Sequence, residues 1–366
     1  MISIVCMGEY LTKKDNMVYA SVPQKVEFGL NSFGDVTPGP DGQPKHPADV
    51  IREVVEEAVL ADAVGVEAIG LGEHHRDDYA ISSPDMVLAA IASRTKNIKL
   101  GSAVTVLSSD DPLRVFERFA TLDAVSNGRA EIIVGRGSFS ESFPLFGYKL
   151  EDYNLLFEEK FEIFAEALKE QPIRWSGTHR APIEGAMLMP RTKNGLSAWV
   201  GVGGSPESVL RSVRRQVPMM LAIIGGAPVR FRPYVDLYHR AQEEMGVDRM
   251  PLGMHSPGHI ADTDEQAREE LWEPFRQNRI RIGRERGWPD PTYDEYVAEI
   301  EEGALFVGSP ETVAQKIYDN VRALEVDRFD LKYANGMMAH DLMMNSIELY
   351  GTKVLPRVRE MLARVF

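Results

Sequence analysis

The 366-residue sequence predicts an α/β fold, a (β/α)8 TIM barrel with insertions. Three observations predict it. Short apolar runs alternate with helical patterns, as parallel strands joined by crossover helices require. There are eight such runs, the number that closes a barrel. No composition break or linker marks the lobe boundary that the rival architecture, an open doubly wound sheet in two lobes, would need.

Each element has its own signal. Residues 25–31 (KVEFGLN) read as the first strand. Pro47 then opens a helix whose Val50, Val54, Ala58 and Ala61 share a face, and Gly65 stands where a helix-ending glycine belongs. Residues 67–72 (EAIGLG) form the second strand, 85–95 a helix and 98–106 the third strand. Asp111-Pro112 supplies an N-cap followed by proline at the first helical position. Its helix carries Val115, Phe119, Leu122 and Val125 up to Asn127-Gly128, and 129–134 (RAEIIV) is the fourth strand.

The second half is less regular. Phe157, Phe161, Phe164 and Leu168 mark a helix face, and 172–196, rich in proline, glycine and turn residues, reads as an insertion. Strands five and six occupy 197–202 and 218–224, with helices from Pro206 and up to about Met245. Strand seven (252–261) is interrupted by Pro257 and Gly258. Strand eight (328–333) precedes a last helix from about His340 to Arg364. A barrel takes about 250 residues; the surplus falls at 1–24, 139–196 and roughly 274–304. One barrel domain over 25–366 is therefore expected. Residues 1–24 would be an N-terminal extension, either flexible or an upstream start with Met17 as the alternative.

Composition narrows the function classes. A net charge of −14 argues against a nucleic-acid partner, whose footprint would be basic. No uncharged apolar stretch approaches the ~20 residues of a membrane span, and the first residues do not read as a secretory signal. Lone Cys6 cannot form an internal disulfide, which points to a reducing compartment and a cytoplasmic location.

In a barrel, chemistry sits at the C-terminal strand ends. Strand two ends in Gly72-Glu73-His74-His75-Arg76-Asp77-Asp78. Two imidazoles and a carboxylate there suit acid–base work, metal ligation or a plain polar rim. Strand four ends in Gly135-Arg136-Gly137, a guanidinium on a backbone that permits close approach, suited to an anion or simply a turn. Strand five leads through Gly203-Gly204 into a helix with Ser205 as N-cap and Pro206 next, a ready phosphate seat. Glu207 in the first turn opposes an anion unless it points outward. Residues 308–313 nearly repeat 204–209, and this later copy reads as a structural cap. The arginines 276, 279, 281, 284 and 286 form either a solvated basic face or a lid after strand seven, whose His255 and His259 read as structural. There is no G-x-G-x-x-G, P-loop, G-x-S-x-G, H-E-x-x-H or C-x-x-C, and no metal site is expected.

Taken together, GLGEHH (70–75), IKLGSAVTVLSSDDPLR (98–114), LDAVSNGRAEIIVGRG (122–137), PLFG (144–147), AWVGVGGSPES (198–208) and FVGSPETVAQKI (306–317) resemble the bacterial luciferase-like family of flavin-dependent monooxygenases. The resemblance implies a (β/α)8 barrel, often dimeric, that uses reduced FMN and O2 to oxygenate a small organic substrate. It implies that His74 is catalytic and that Arg136, with the turn Gly203, Gly204 and Ser205, holds the flavin phosphate. It also implies a non-prolyl cis peptide at Ala103-Val104 beneath the flavin ring. Gly204 and Ser142 replace acidic residues of the luciferase pattern. With no nicotinamide fingerprint, reduced flavin would come from a separate reductase. Rival readings of the same residues are a deazaflavin-dependent hydride-transfer enzyme, a non-catalytic flavin-binding protein and a metal-dependent barrel hydrolase.

Overall fold

The computed structural model describes residues 25–137 and 139–364, so the expected extension at 1–24 lies outside the described residues. Its first half runs β1 (Glu27–Ser32), α1 (Pro47–Ala63), β2 (Ala68–Leu71), α2 (Pro84–Arg94), β3 (Lys99–Val106), α3 (Pro112–Ser126) and β4 (Ala130–Gly135). Next come α4 (Ser142–Leu145), α5 (Tyr153–Ala167), β5 (Ile173–Trp175), β6 (Ile183–Ala186), β7 (Ser197–Val202), α6 (Pro206–Arg215) and β8 (Met219–Ala222). The chain continues through α7 (Arg232–Met245), β9 (Leu252–Ile260), α8 (Asp264–Arg286), α9 (Tyr293–Glu301), β10 (Phe306–Gly308) and α10 (Pro310–Leu324). It ends with β11 (Arg328–Lys332), α11 (His340–Leu349) and α12 (Leu355–Ala363), the last two joined by a π turn, Tyr350–Val354.

Eight of these strands close a parallel barrel in the order β1-β2-β3-β4-β7-β8-β9-β11, with β11 returning to β1. The helices cover its outside. Their apolar stripes meet the outward residues of the strands in one continuous core that includes Phe28, Leu30, Phe329 and Leu331. The lumen is different. Every second residue of β11, Arg328, Asp330 and Lys332, is charged and buried. Arg328 Nη1 reaches Glu131 Oε2 of β4 at 2.7 Å; β4 and β11 are not neighbours, so this bond crosses the lumen. Above it a small apolar group, Ala103, Ile133, Trp199 and Met220, fills the interior. Glycines make room for this filling: a Cβ on Gly29 would lie 2.3 Å from Asp330 Oδ1, and one on Gly70 2.3 Å from Asn31 Oδ1.

Several local signals act as read. Asp111 caps α3, accepting from Leu113 N and Arg114 N at 2.9 and 3.2 Å, and Asn127 ends it with φ 59°. Gly65 takes φ +82° after α1.

Residues 172–196, read as an insertion, carry an antiparallel hairpin, β5–β6, outside the barrel sheet. Three readings need correction. Pro257 and Gly258 do not break β9, because the barrel's neighbour β11 reaches only to Pro257 and a further strand, β10, pairs with Gly258, His259 and Ile260. Residues 274–304 are not one surplus segment: α8 begins at Asp264, runs through Pro274 to Arg286, and α9 follows. Finally, 306–308, not counted among the strands, is the added strand β10.

Candidate active site

The loops at the C-terminal ends of the barrel strands enclose a cavity of about 510 Å³, within the range of cofactor sites (~300–1,000 Å³). More open hollows of about 610 and 640 Å³ lie elsewhere, beside α9 and α10 and along α8.

The strand-two cluster divides into distinct jobs. His74 turns into the cavity, stacks on Tyr79 at 4.3 Å and leans on Phe33 at 4.9 Å. Burial, reinforced by Lys332, Arg76 and His75, pushes its imidazole down to about 3. At working pH the ring is therefore neutral, with one N–H and one bare nitrogen. Glu73 Oε2 accepts from Val106 N at 2.8 Å, tying this loop to the end of β3, while Oε1 meets His75 Nε2 at 3.0 Å. Among the described residues no three His, Cys, Asp or Glu side chains are grouped to hold a metal ion.

Ala103 and Val104 face the same cavity. The peptide between them is cis, and the β3–β4 register shifts there. Neighbouring strands give way to it: a Cβ on Gly135 would lie 2.8 Å from Val104 Cγ2, and one on Gly201 3.3 Å from Val104 Cγ1.

Arg136 leaves the end of β4 toward the start of α6, as adjacent barrel strands dictate. Its Nη1 donates to Asn154 Oδ1 at 3.2 Å, and its Nη2 lies 3.5 Å from Ser208 Oγ. Among the described residues it pairs with no carboxylate. Gly203 is exposed, with nothing within 4 Å of where its Cβ would be. Gly204 has φ +101°, a conformation L side chains rarely adopt. Ser205 caps α6, its Oγ accepting from Ser208 N at 3.2 Å, and Glu207 is exposed.

The later sequence copy shows what this turn can bind. At Ser309, the helix start of α10, the backbone N–H donates to Asp264 Oδ1 at 2.6 Å and Thr312 Oγ1 donates to Asp264 Oδ2 at 2.9 Å. A carboxylate of the chain itself occupies that helix start. At the Ser205 start Arg136 stands in place of an acid. The donor set there, a guanidinium, serine hydroxyls and free main-chain amides, fits a phosphate.

His255 was read as structural. It lines the cavity, with Asn31 Nδ2 2.7 Å from its Nδ1, and burial together with Lys332 pushes it down to about 3. His259 is structural as read: it is buried and sits 2.6 Å from Glu270. The period-two pattern of β9, with Gly253, His255 and Pro257 on one face and Leu252 and Met254 on the other, is the signal that places His255 inward. Ser142 is buried in α4 and does not line the cavity. The arginines of α8 are not simply a solvated face. Arg279 lies over Trp288 at 4.2 Å, and both border the cavity.

The family profile described as luciferase-like monooxygenase matches residues 26–328. A 4-hydroxyprotoasukamycin monooxygenase of Streptomyces nodosus subsp. asukaensis is 25% identical over 323 residues, 83% of this chain and 85% of that protein. Two solved structures share the fold. The oxygenating constituent of a Pseudomonas putida 3,6-diketocamphane monooxygenase, in complex with FMN, aligns with TM-score 0.71 at 20% identity, covering 91% of this chain and 98% of that one. The coenzyme F420-dependent tetrahydromethanopterin reductase of Methanopyrus kandleri aligns with TM-score 0.66 at 20% identity, covering 91% and 99%.

Proposed function

The chain belongs to the luciferase-like monooxygenase family, and from that membership we propose that it binds reduced FMN at the barrel mouth and passes one oxygen atom of O2 to a small organic substrate. The observation that carries this reading is the start of α6. It repeats a turn that elsewhere in the chain holds a carboxylate, and here it offers Arg136 to an outside anion instead.

Bound there, reduced flavin supplies the electrons for O2 activation. The chain's own groups do the rest. Arg136, Ser208 and the amides of Gly203, Gly204 and Ser205 hold the phosphate. The Ala103–Val104 peptide, set among glycines, is a flat floor for the ring system. Phe33, Tyr79 and Phe139 form an apolar wall that excludes water from the reacting centre. His74 faces the cavity and is the side chain placed to assist proton transfer there. Reduced flavin arrives from a separate reductase, in keeping with the Pseudomonas relative's description as an oxygenating constituent.

Arg136→Ala tests the phosphate seat. It should weaken FMN by at least about tenfold, the worth of a charge-assisted contact, and leave riboflavin, which lacks the phosphate, unchanged. Equal losses for both ligands would take Arg136 out of this role. Coenzyme F420, the coenzyme of the Methanopyrus relative, is the competing ligand in the same titration. Tighter binding of F420 than of FMN would replace oxygenation by hydride transfer.

A further inference from the structure

The cavity wall holds an imidazole that the reaction above leaves unused. His255 is 8% exposed and lies nearly parallel to Phe33, 15° apart at 6.2 Å. Its Nδ1 is bonded to Asn31 Nδ2 at 2.7 Å. That same Nδ2 lies 3.4 Å from Asp330 Oδ2. Arg328 donates to both oxygens of Asp330, at 2.8 and 3.1 Å.

These contacts fix each group in turn. Asp330 takes two guanidinium N–H groups, so its oxygens act as acceptors. Turning the Asn31 amide over would set its oxygen against Oδ2, acceptor against acceptor. The amide nitrogen therefore faces Asp330, and its second hydrogen goes to His255 Nδ1. That nitrogen must then be the bare one, which leaves the ring proton on Nε2. Among the described residues the only side-chain bond of His255 is at Nδ1, and the residue lines the cavity. The charged group nearest in influence is Lys332, itself held by Asp35 at 3.1 and 3.2 Å. With that cation and burial acting together, the ring stays neutral at working pH.

We propose that His255 binds the substrate: its Nε2–H, oriented by the Arg328–Asp330–Asn31 chain, donates to a carbonyl oxygen of the organic molecule to be oxygenated. The wall around it is apolar, with Phe33, Phe139, Met220 and Ile224. A single neutral N–H donor matches one uncharged acceptor oxygen, and the cation in the same wall, Lys332, is already matched by the Asp35 carboxylate. A ketone, aldehyde or ester on an otherwise apolar body is the class that fits. Asn31 is the positioning residue. This assignment rests on the reading of the cavity as the oxygenation site.

The test has two independent readouts. Nitrogen-15 spectra of histidine-labelled protein, with the His255→Leu variant assigning the signal, should show the Nε2–H tautomer with no titration from about pH 5 to 9. Asn31→Leu should turn it into a tautomer mixture. Cyclohexanone is the binding probe for the FMN-loaded protein. His255→Leu should weaken it about tenfold, one hydrogen bond's worth, with FMN affinity unchanged, and His255→Gln, which restores an N–H donor, should recover most of the loss. An Nδ1–H tautomer, titration near neutrality, no cyclohexanone binding to the native protein, or equal binding in the leucine variant would each overturn the proposal. The tautomer is read without cofactor, so failure of FMN to bind would sink the oxygenation reading and leave this measurement standing.

Discussion

His74 and His255 are imidazoles that burial keeps neutral, each pushed down to about 3. The unfolded chain binds a proton at each near pH 6.5. Between that pH and about 3 the native state therefore carries fewer protons than the unfolded one, and stability falls on acidification. The same shift shapes catalysis. His74→Ala should keep flavin affinity and lower turnover by about 10²-fold, the usual worth of a positioned proton carrier. The native pH–rate profile should show no inflection from His74 between about pH 5 and 8. Undiminished turnover, or an inflection near 6.5 that the variant abolishes, would contradict this. At this scale His74 and Arg136 stood out as candidates because they lie just past strand ends, where the barrel rule places chemistry. His255 did not stand out, because its contact with Asn31 joins residues 224 apart in sequence.

Helix starts and stops show how far element-scale grammar reaches. Ser205 and Ser309 share the Gly-Ser-Pro-Glu start, and both cap as read. Their different surroundings, Arg136 against Asp264, are invisible to local sequence. The C-terminal half of α8 gives the sharper case. Arg76 after β2 grips Glu285 through two bonds, at 2.6 and 2.8 Å, and Arg281 pairs with Asp77 and Asp78. These pairs latch α8 across the cavity mouth to the loop that carries His74. Exposed pairs are individually weak and screened by salt. Glu285→Gln should raise hydrogen exchange of the backbone amides over 279–286 about fivefold, near 1 kcal/mol, and 0.5 M salt, roughly ~4 Å of Debye length, should do the same to the native protein. Exchange unaffected by either change would mean that apolar packing alone holds this segment.

Across the whole molecule, the barrel is closed around charge. Arg328, 1% exposed, joins Glu131 and Asp330, 1% and 0% exposed, through the lumen. Burial pushes both carboxyls up while the guanidinium pulls them down. Removing the cation strands two acids in a dry interior, so Arg328→Met should cost about 3–5 kcal/mol, read as a lower urea midpoint. Arg328→Met combined with Glu131→Gln and Asp330→Asn should recover part of it. A neutral single substitution would show that water reaches these groups.

The strand count, the helix caps and the candidates at strand ends were set by the sequence itself. Period, capping chemistry and glycine placement act over a few residues, and eight strand patterns with crossover helices leave few ways to pack. Only the tertiary structure decided which charges meet in the lumen, which amide stands against His255 Nδ1, and which of two like helix starts Asp264 fills. Those outcomes depend on side chains brought together from distant strands, where burial and a partner's geometry, rather than residue type, govern protonation and orientation.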